Sequence, residues 1–188
     1  MSDIKVLGIC GSLRKGSFNN MALRVAQGLA PAGMKIDLAD ISAIPPYNED
    51  VKAQGFPPAV QALRDQIAAA DALLFATPEY NYSVSGVLKN AIDWASRPPN
   101  QPFDGKPVAI MGASGGVLGT ARAQYHLRQI CVFLNMFPVN KPEVMIPQAQ
   151  NRFDAQGNLT DETAKGLIKQ LLESLQAWTL TLKRGRAQ

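Results

Sequence analysis

The apolar positions of this chain switch repeatedly between a period of about two and a period of about 3.6, the signature of strands and helices in alternation. Ile4, Val6, Leu7 and Ile9 form a short apolar run of the kind a buried strand requires. A helical pattern follows from about Ser17 to Ala30 and is closed by Pro31-Ala32-Gly33, after which Lys35 to Ile41 alternates as a second strand. A loop carrying Pro45-Pro46-Tyr47-Asn48-Glu49-Asp50 leads to a second helix, opened by Pro57-Pro58 and running to about Ala70. Asp71 to Thr77 is an apolar third strand halted by Pro78. A third helix covers about Val84 to Arg97 and ends at Pro98-Pro99. Pro107 to Met111 predicts a fourth strand, and a glycine-rich turn from Gly112 to Gly119 leads into a fourth helix ending near Asn135. Pro138 to Ile146 contains a short fifth strand, and Asn151 to Asn158 is a polar loop. Thr160-Asp161-Glu162 caps a last helix that reaches about Leu182, with a frayed tail from about Lys183.

Strand and helix in strict alternation imply right-handed crossovers and a parallel sheet covered on both faces. The expected fold is α/β: a single flavodoxin-like domain spanning residues 1–188, with a doubly wound five-stranded parallel sheet in the order 2-1-3-4-5. In that order a ligand sits above the carboxyl ends of strands one, three and four, where this chain carries its unusual loops.

The first of these loops contains Gly11, Ser12, Arg14, Lys15, Gly16, Ser17 and Asn19, which offer flexible backbone, hydroxyl and amide groups and fixed positive charge. A helix starting near Ser17 would aim free N–H groups and the positive end of its dipole at the same point, so a phosphate is favoured there. Arg14 would add charge-assisted hydrogen bonds. Gly11 and Gly16 have the spacing of an NTPase loop, but Ser17-Phe18 stands where Lys-Ser/Thr is needed to grip a triphosphate and its magnesium. No G-x-G-x-x-G follows the strand, which argues against a pyrophosphate cradle. Cys10 and Arg14 lie too close together for a cysteine-phosphatase loop. A phosphate monoester remains, and a mononucleotide such as FMN fits.

Composition narrows the setting. The 188 residues suffice for one domain that buries roughly 70% of its unfolded surface without a disulfide or metal staple. Cys10 and Cys131 read as free thiols in a reducing compartment, and with Asp3 and Lys5 interrupting any apolar leader run, a cytoplasmic location is expected. No uncharged apolar run approaches the roughly 18 residues of a membrane span. The net charge of +4 is concentrated in Lys183, Arg184 and Arg186, so neither nucleic acid nor membrane is expected as a partner.

A second loop, Thr77-Pro78-Glu79-Tyr80-Asn81-Tyr82-Ser83, offers main-chain donors, aromatic walls, and amide and hydroxyl groups suited to a flat heteroaromatic ring. A third, Gly112-Ala113-Ser114-Gly115-Gly116, lets the backbone approach a ligand closely. With Gly11 to Asn19, Pro78 to Ser83, Leu88 to Trp94, and Ala121 to Arg128 in order along the chain, the sequence resembles the NAD(P)H-dependent FMN reductase family. Its quinone and chromate reductase branch is the most similar. The resemblance implies tightly bound FMN, with its phosphate on Ser12, Arg14, Ser17, the Phe18 amide and Asn19. Pro78, Glu79, Tyr80, Asn81 and Tyr82 would lie along the ring and ribityl chain, and Ser114, Gly115 and Gly116 at the pyrimidine edge. It implies ping-pong hydride transfer from NADPH or NADH to the flavin, then two-electron reduction of a quinone, chromate, an azo or nitro compound, or free flavin. The flavin carries that chemistry, so no side-chain acid, base or nucleophile is required. Gly115 and Gly116 N–H groups on a helix N-terminus would meet the negative charge of the reduced ring.

Two rival readings come from the same residues. Gly112 to Gly116 also satisfies the hydrolase elbow G-x-S-x-G, but the single histidine, His126, follows Ser114 closely with no acid between them. A flavodoxin-type electron carrier or flavin-binding scaffold is the other, although such carriers have an acidic surface and a Thr-rich phosphate loop that this chain lacks. The fourth helix predicts an assembly. Ala123, Leu127, Ile130 and Leu134 would pack on the sheet, leaving Tyr125, Val132, Phe133 and Met136 on other faces, and Val87, Leu88, Ile92 and Trp94 broaden the third helix in the same way. A homodimer or tetramer through helices three and four is expected, with Arg122 and Glu143 as a candidate intersubunit ion pair.

Overall fold

The computed structural model describes residues 3–186. Its main sheet is built from strands β1 (Ile4–Cys10), β2 (Met34–Ala39), β3 (Ala72–Ala76), β6 (Pro107–Ala113), β7 (Phe137–Pro138) and β8 (Val144–Ile146). A separate hairpin joins β4 (Glu79–Tyr80) to β5 (Ser83–Val84). The helices are α1 (Phe18–Gly28), α2 (Glu49–Ala53), α3 (Pro58–Ala69), α4 (Gly86–Ala95), α5 (Ala121–Phe133) and α6 (Glu162–Arg186). The sheet order is β2-β1-β3-β6-β7, with β8 beside β6 and every pairing parallel. This is the flavodoxin-like winding the sequence predicts, with the fifth strand broken into the separate pieces β7 and β8.

The all-apolar strands divide their side chains between two layers. Ala72, Leu74 and Ala76 of β3 meet α1 and α6 on one face, while Leu73 and Phe75 meet α3, α4 and α5 on the other. Both faces are therefore dry, as a parallel sheet requires.

The register then fixes where a ligand can go. Cys10 is level with Ala76, and Ala76 with Met111, so β1, β3 and β6 end at one edge and release their loops side by side. Gly11 N–H to Ala76 O at 2.8 Å and Thr77 N–H to Met111 O at 3.0 Å extend the ladder one step into those loops.

Several boundaries differ from expectation for tertiary reasons. Helix α6 continues to Arg186, where a frayed tail was predicted, and the Lys183 ammonium pairs with Asp71 at 2.7 Å on the third strand's approach. Within the Thr160–Glu162 cap, Asp161 accepts from the Ala164 N–H, while Thr160 Oγ1 donates to Arg152 O. Met136 is buried against the α3–α5 layer. Leu88, Ile92 and Trp94 are buried within the chain, so α4 leaves only Val87 half-exposed. The cover over Trp94 is the Pro45–Tyr47 loop, whose Pro45 carbonyl accepts from the indole N–H at 2.8 Å and whose Tyr47 ring meets it edge-on. Among the described residues, no helix is long and apolar enough to cross a membrane.

Candidate functional site

The three loops enclose a cavity of about 740 Å³. Its lining includes all thirteen residues singled out in the sequence: Ser12, Arg14, Ser17, Phe18, Asn19, Pro78, Glu79, Tyr80, Asn81, Tyr82, Ser114, Gly115 and Gly116. Lys15 is not among the lining groups. Val117, Leu118 and Arg122 are, and the sequence reading missed them because the loop of the first two and the start of α5 meet the cavity only in the fold.

The phosphate-type lip is a helix entrance with an internal cap. Ser17 is the N-cap of α1, its buried hydroxyl accepting from Asn20 N at 3.4 Å, and the first intrahelical bond is Met21 N–H to Ser17 O. The Phe18 and Asn19 N–H groups precede that bond and have no acceptor among the described residues, which leaves them free for an anion. The Asn19 side chain is not free. Its amide donates to Ala113 O and accepts from Ala113 N, both at 2.9 Å, tying the start of α1 to the end of β6. Arg14 is exposed and has no ion-pair partner among the described residues. Its guanidinium lies 5.5 Å from the centroid of Phe18, whose other contact is a stack on Phe153. Phe153 thus braces the loop from a distant part of the chain.

The second loop is the β4–β5 hairpin, whose turn residues Asn81 and Tyr82 have φ of 50° and 65°, the paired positive angles of a type I′ turn. Tyr80 and Tyr82 are exposed on it. Glu79 has a role that sequence spacing did not suggest. Its carboxylate accepts from the N–H groups of Arg122 at 2.9 Å and Ala123 at 3.1 Å, so it caps α5 from another element. It also faces the Arg122 guanidinium at 3.6 Å, while that guanidinium lies 3.8 Å over the Tyr82 ring. Thr120 makes no side-chain cap of its own. Glu79→Ala is expected to destabilise the protein by about 1–2 kcal/mol, measured by thermal unfolding; an unchanged midpoint would mean water replaces the carboxylate at no cost.

At the third loop the expectation of a helix N-terminus at Gly115 and Gly116 is corrected. Helix α5 begins at Ala121, and its leading N–H groups belong to Glu79. Gly116 N–H is taken by Ser114 Oγ at 3.2 Å, and Ser114 Oγ donates to Gly119 O at 2.6 Å. The Ser114 hydroxyl is therefore a turn lock. Its neighbour in the hydrolase reading, His126, is exposed, with Nδ1 bonded to Ser83 Oγ at 3.0 Å.

The thiols are also quiet: burial pushes Cys10 up and Cys131 to about 12, which disfavours the thiolate. Among the described residues no cluster of three or more His, Cys, Asp or Glu could hold a metal. Arg122 and Glu143, expected to pair between subunits, each have a partner within the chain, Glu79 for Arg122 and the Tyr125 hydroxyl for Glu143.

A sequence-family model described as NADPH-dependent FMN reductase matches residues 4–151, which carry all three loops. The chain belongs to this family. It is 70% identical over 181 residues to an NAD(P)H-dependent FMN reductase of Pseudomonas aeruginosa, covering 96% of this chain and 98% of that protein. An NADPH:quinone oxidoreductase of Arabidopsis thaliana is 51% identical, with 96% of this chain and 94% of the relative covered. Among solved structures, the flavoenzyme NAD(P)H:(acceptor) oxidoreductase of Paracoccus denitrificans superposes with a TM-score of 0.85 at 37% identity, over 95% of this chain and 98% of its own. Family membership supports the reductase reading of the loops over the hydrolase reading of Ser114.

Proposed function

We propose that the cavity holds FMN and that the protein is an NAD(P)H-dependent flavin oxidoreductase reducing quinones and related acceptors. The convergence of thirteen sequence-selected residues on one cavity at the switch point of a family member carries this reading. The residues suit the cofactor. Two unpaired N–H groups, two hydroxyls and the Arg14 guanidinium meet a phosphate monoester, and the exposed tyrosines of the hairpin wall a flat ring. When bound, FMN supplies the two-electron chemistry between nicotinamide and acceptor.

The chain's own residues bind and orient. Ser12, Arg14, Ser17 and the Phe18 and Asn19 amides hold the phosphate, and Pro78 to Tyr82 line the ring and ribityl chain. The uncommitted Gly115 N–H is the pyrimidine-edge donor. NADPH or NADH is the electron donor, the acceptors extend to chromate, azo and nitro compounds and free flavin, and the two unbridged thiols suit the reducing cytoplasm.

The test is an absorbance spectrum of the purified protein, followed by nicotinamide addition with and without a quinone. Flavin bands at one FMN per chain, bleached by nicotinamide and restored by quinone, are expected. A protein that neither carries nor takes up FMN would overturn the reading. Carriage of FMN without nicotinamide oxidation would favour an electron carrier.

The assembly reading rests on α5. Tyr125, Val132 and Phe133 are 53%, 80% and 84% exposed, an apolar surface that a soluble protein covers by association. A homodimer, or a tetramer built from dimers, through α5 and the Val87 edge of α4 is proposed. Light scattering should give a multiple of 20.3 kDa for the wild type and a smaller species for Tyr125→Asp. A monomeric wild type would refute the interface.

A further inference from the structure

A second cavity, of about 560 Å³, opens on the outer side of the phosphate loop, where β1 and β2 end. Ser12, Arg14, Lys15, Arg24, Asp40 and Ser42 supply its polar lining, and Leu23, Leu38 and Ile41 give it an apolar wall. Ser12 and Arg14 also line the main cavity, so the two spaces share one lip.

The charge here is unbalanced. Among the described residues neither Lys15 nor Arg24 has an ion-pair partner, and neither lines the main cavity where the FMN phosphate is placed. The acid in the lining, Asp40, accepts from Ser42 N–H at 2.8 Å, and bonds from Ser42 hold its carboxyl below the ordinary range. It follows β2, where doubly wound dinucleotide folds place the carboxylate that holds the free 2′-hydroxyl of NAD, but here Ser42 occupies it and two cations, Lys15 and Arg24, outnumber it. The volume lies within the range of pockets that take a nucleoside-sized ligand.

We propose that this outer cavity receives the adenosine end of NADPH, with Lys15 and Arg24 binding its 2′-phosphate and outweighing the single carboxylate of Asp40. The proposal rests on the reductase reading, because it assigns the far end of the donor whose nicotinamide reaches the main cavity. Free inorganic phosphate offers the same charge, but it would leave the apolar wall of Leu23, Leu38 and Ile41 uncovered. The protein should therefore prefer NADPH to NADH, and the preference should reside in two side chains outside the flavin cradle.

The decisive comparison uses the FMN-loaded wild type and the Lys15→Ala/Arg24→Ala double variant. With NADPH, kcat/KM should fall at least about tenfold, as for loss of charged hydrogen bonds to one phosphate. With NADH it should hold, and flavin content should be unchanged. Calorimetry should show adenosine 2′,5′-bisphosphate binding to the wild type and losing affinity in the variant, with 5′-AMP indifferent to the change. Equal losses with both dinucleotides, no loss with either, or inorganic phosphate competing as well as the bisphosphate would each overturn the assignment. A protein that binds no FMN and oxidises neither dinucleotide would defeat the reductase reading alone, since the bisphosphate titration still decides this cavity.

Discussion

Gly112→Ala should cost the protein about 3 kcal/mol or more, at the upper end of what overpacking a filled site costs. A Cβ at this position would lie 2.0 Å from Thr120 Oγ1 and 2.4 Å from the Thr77 carbonyl oxygen. The second contact is with backbone, so no side-chain rotation relieves it. Thr77 opens the hairpin loop and Thr120 precedes α5, which makes relief a displacement of two of the three walls of the cavity. Gly11 is placed similarly, with a Cβ there 2.9 Å from the Pro78 ring. For a domain of this size the loss corresponds to a melting point lower by roughly 6–12 °C. Differential scanning calorimetry reads that effect, and FMN titration reads the accompanying loss of affinity. A melting point unchanged within roughly 2 °C would show that β3 and β6 part more easily than their register suggests.

Arg14→Ala should weaken FMN binding by about 1.5–3 kcal/mol, roughly ten- to 150-fold, while leaving the stability of the cofactor-free protein nearly unchanged. The contrast follows from the position of the side chain. It is exposed, has no ion-pair partner among the described residues, and rests on the Phe18–Phe153 stack, so its removal leaves no buried group unmatched. Its charge is already positioned when the cofactor arrives, and the energy is realised only in the complex. Arg14→Lys should fall between, because an ammonium keeps the charge but loses the forked geometry. Fluorescence titration of the cofactor-free protein measures both variants; undiminished affinity in Arg14→Ala would remove this residue from the site.

Much of the frame was legible because its signals are local. Two-faced strands such as Ala72 to Ala76 need continuous apolar runs, and a Ser17 cap followed by a helical stripe marks the start of α1. The same locality exposed the thirteen loop residues. What stayed hidden depends on partners far along the chain. Glu79 caps a helix 43 residues away, and Asn19 engages a strand 94 residues away, so the bracing role of each was not legible beside its ligand role. The hairpin turn uses Asn81 and Tyr82 at positive φ without a glycine to announce it. Apolar breadth on α4 suggested an interface, but a loop from residues 45–47 covers Trp94, and a sequence pattern does not say which element will lie on top of it. Helix α6 outlasts its apolar pattern because Asp71 meets Lys183.

The pair of hydrogen bonds between the Asn19 amide and Ala113 also bears on which vitamin derivative the site accepts. By matching the N–H and C=O of Ala113 they satisfy the end of β6 beside the cavity, while donors with no acceptor among the described residues gather at the lip around Phe18 N, Asn19 N and Arg14. Riboflavin, with its ring system intact but no phosphate, would leave those donors to water and draw no energy from them, so it is expected to bind more weakly than FMN.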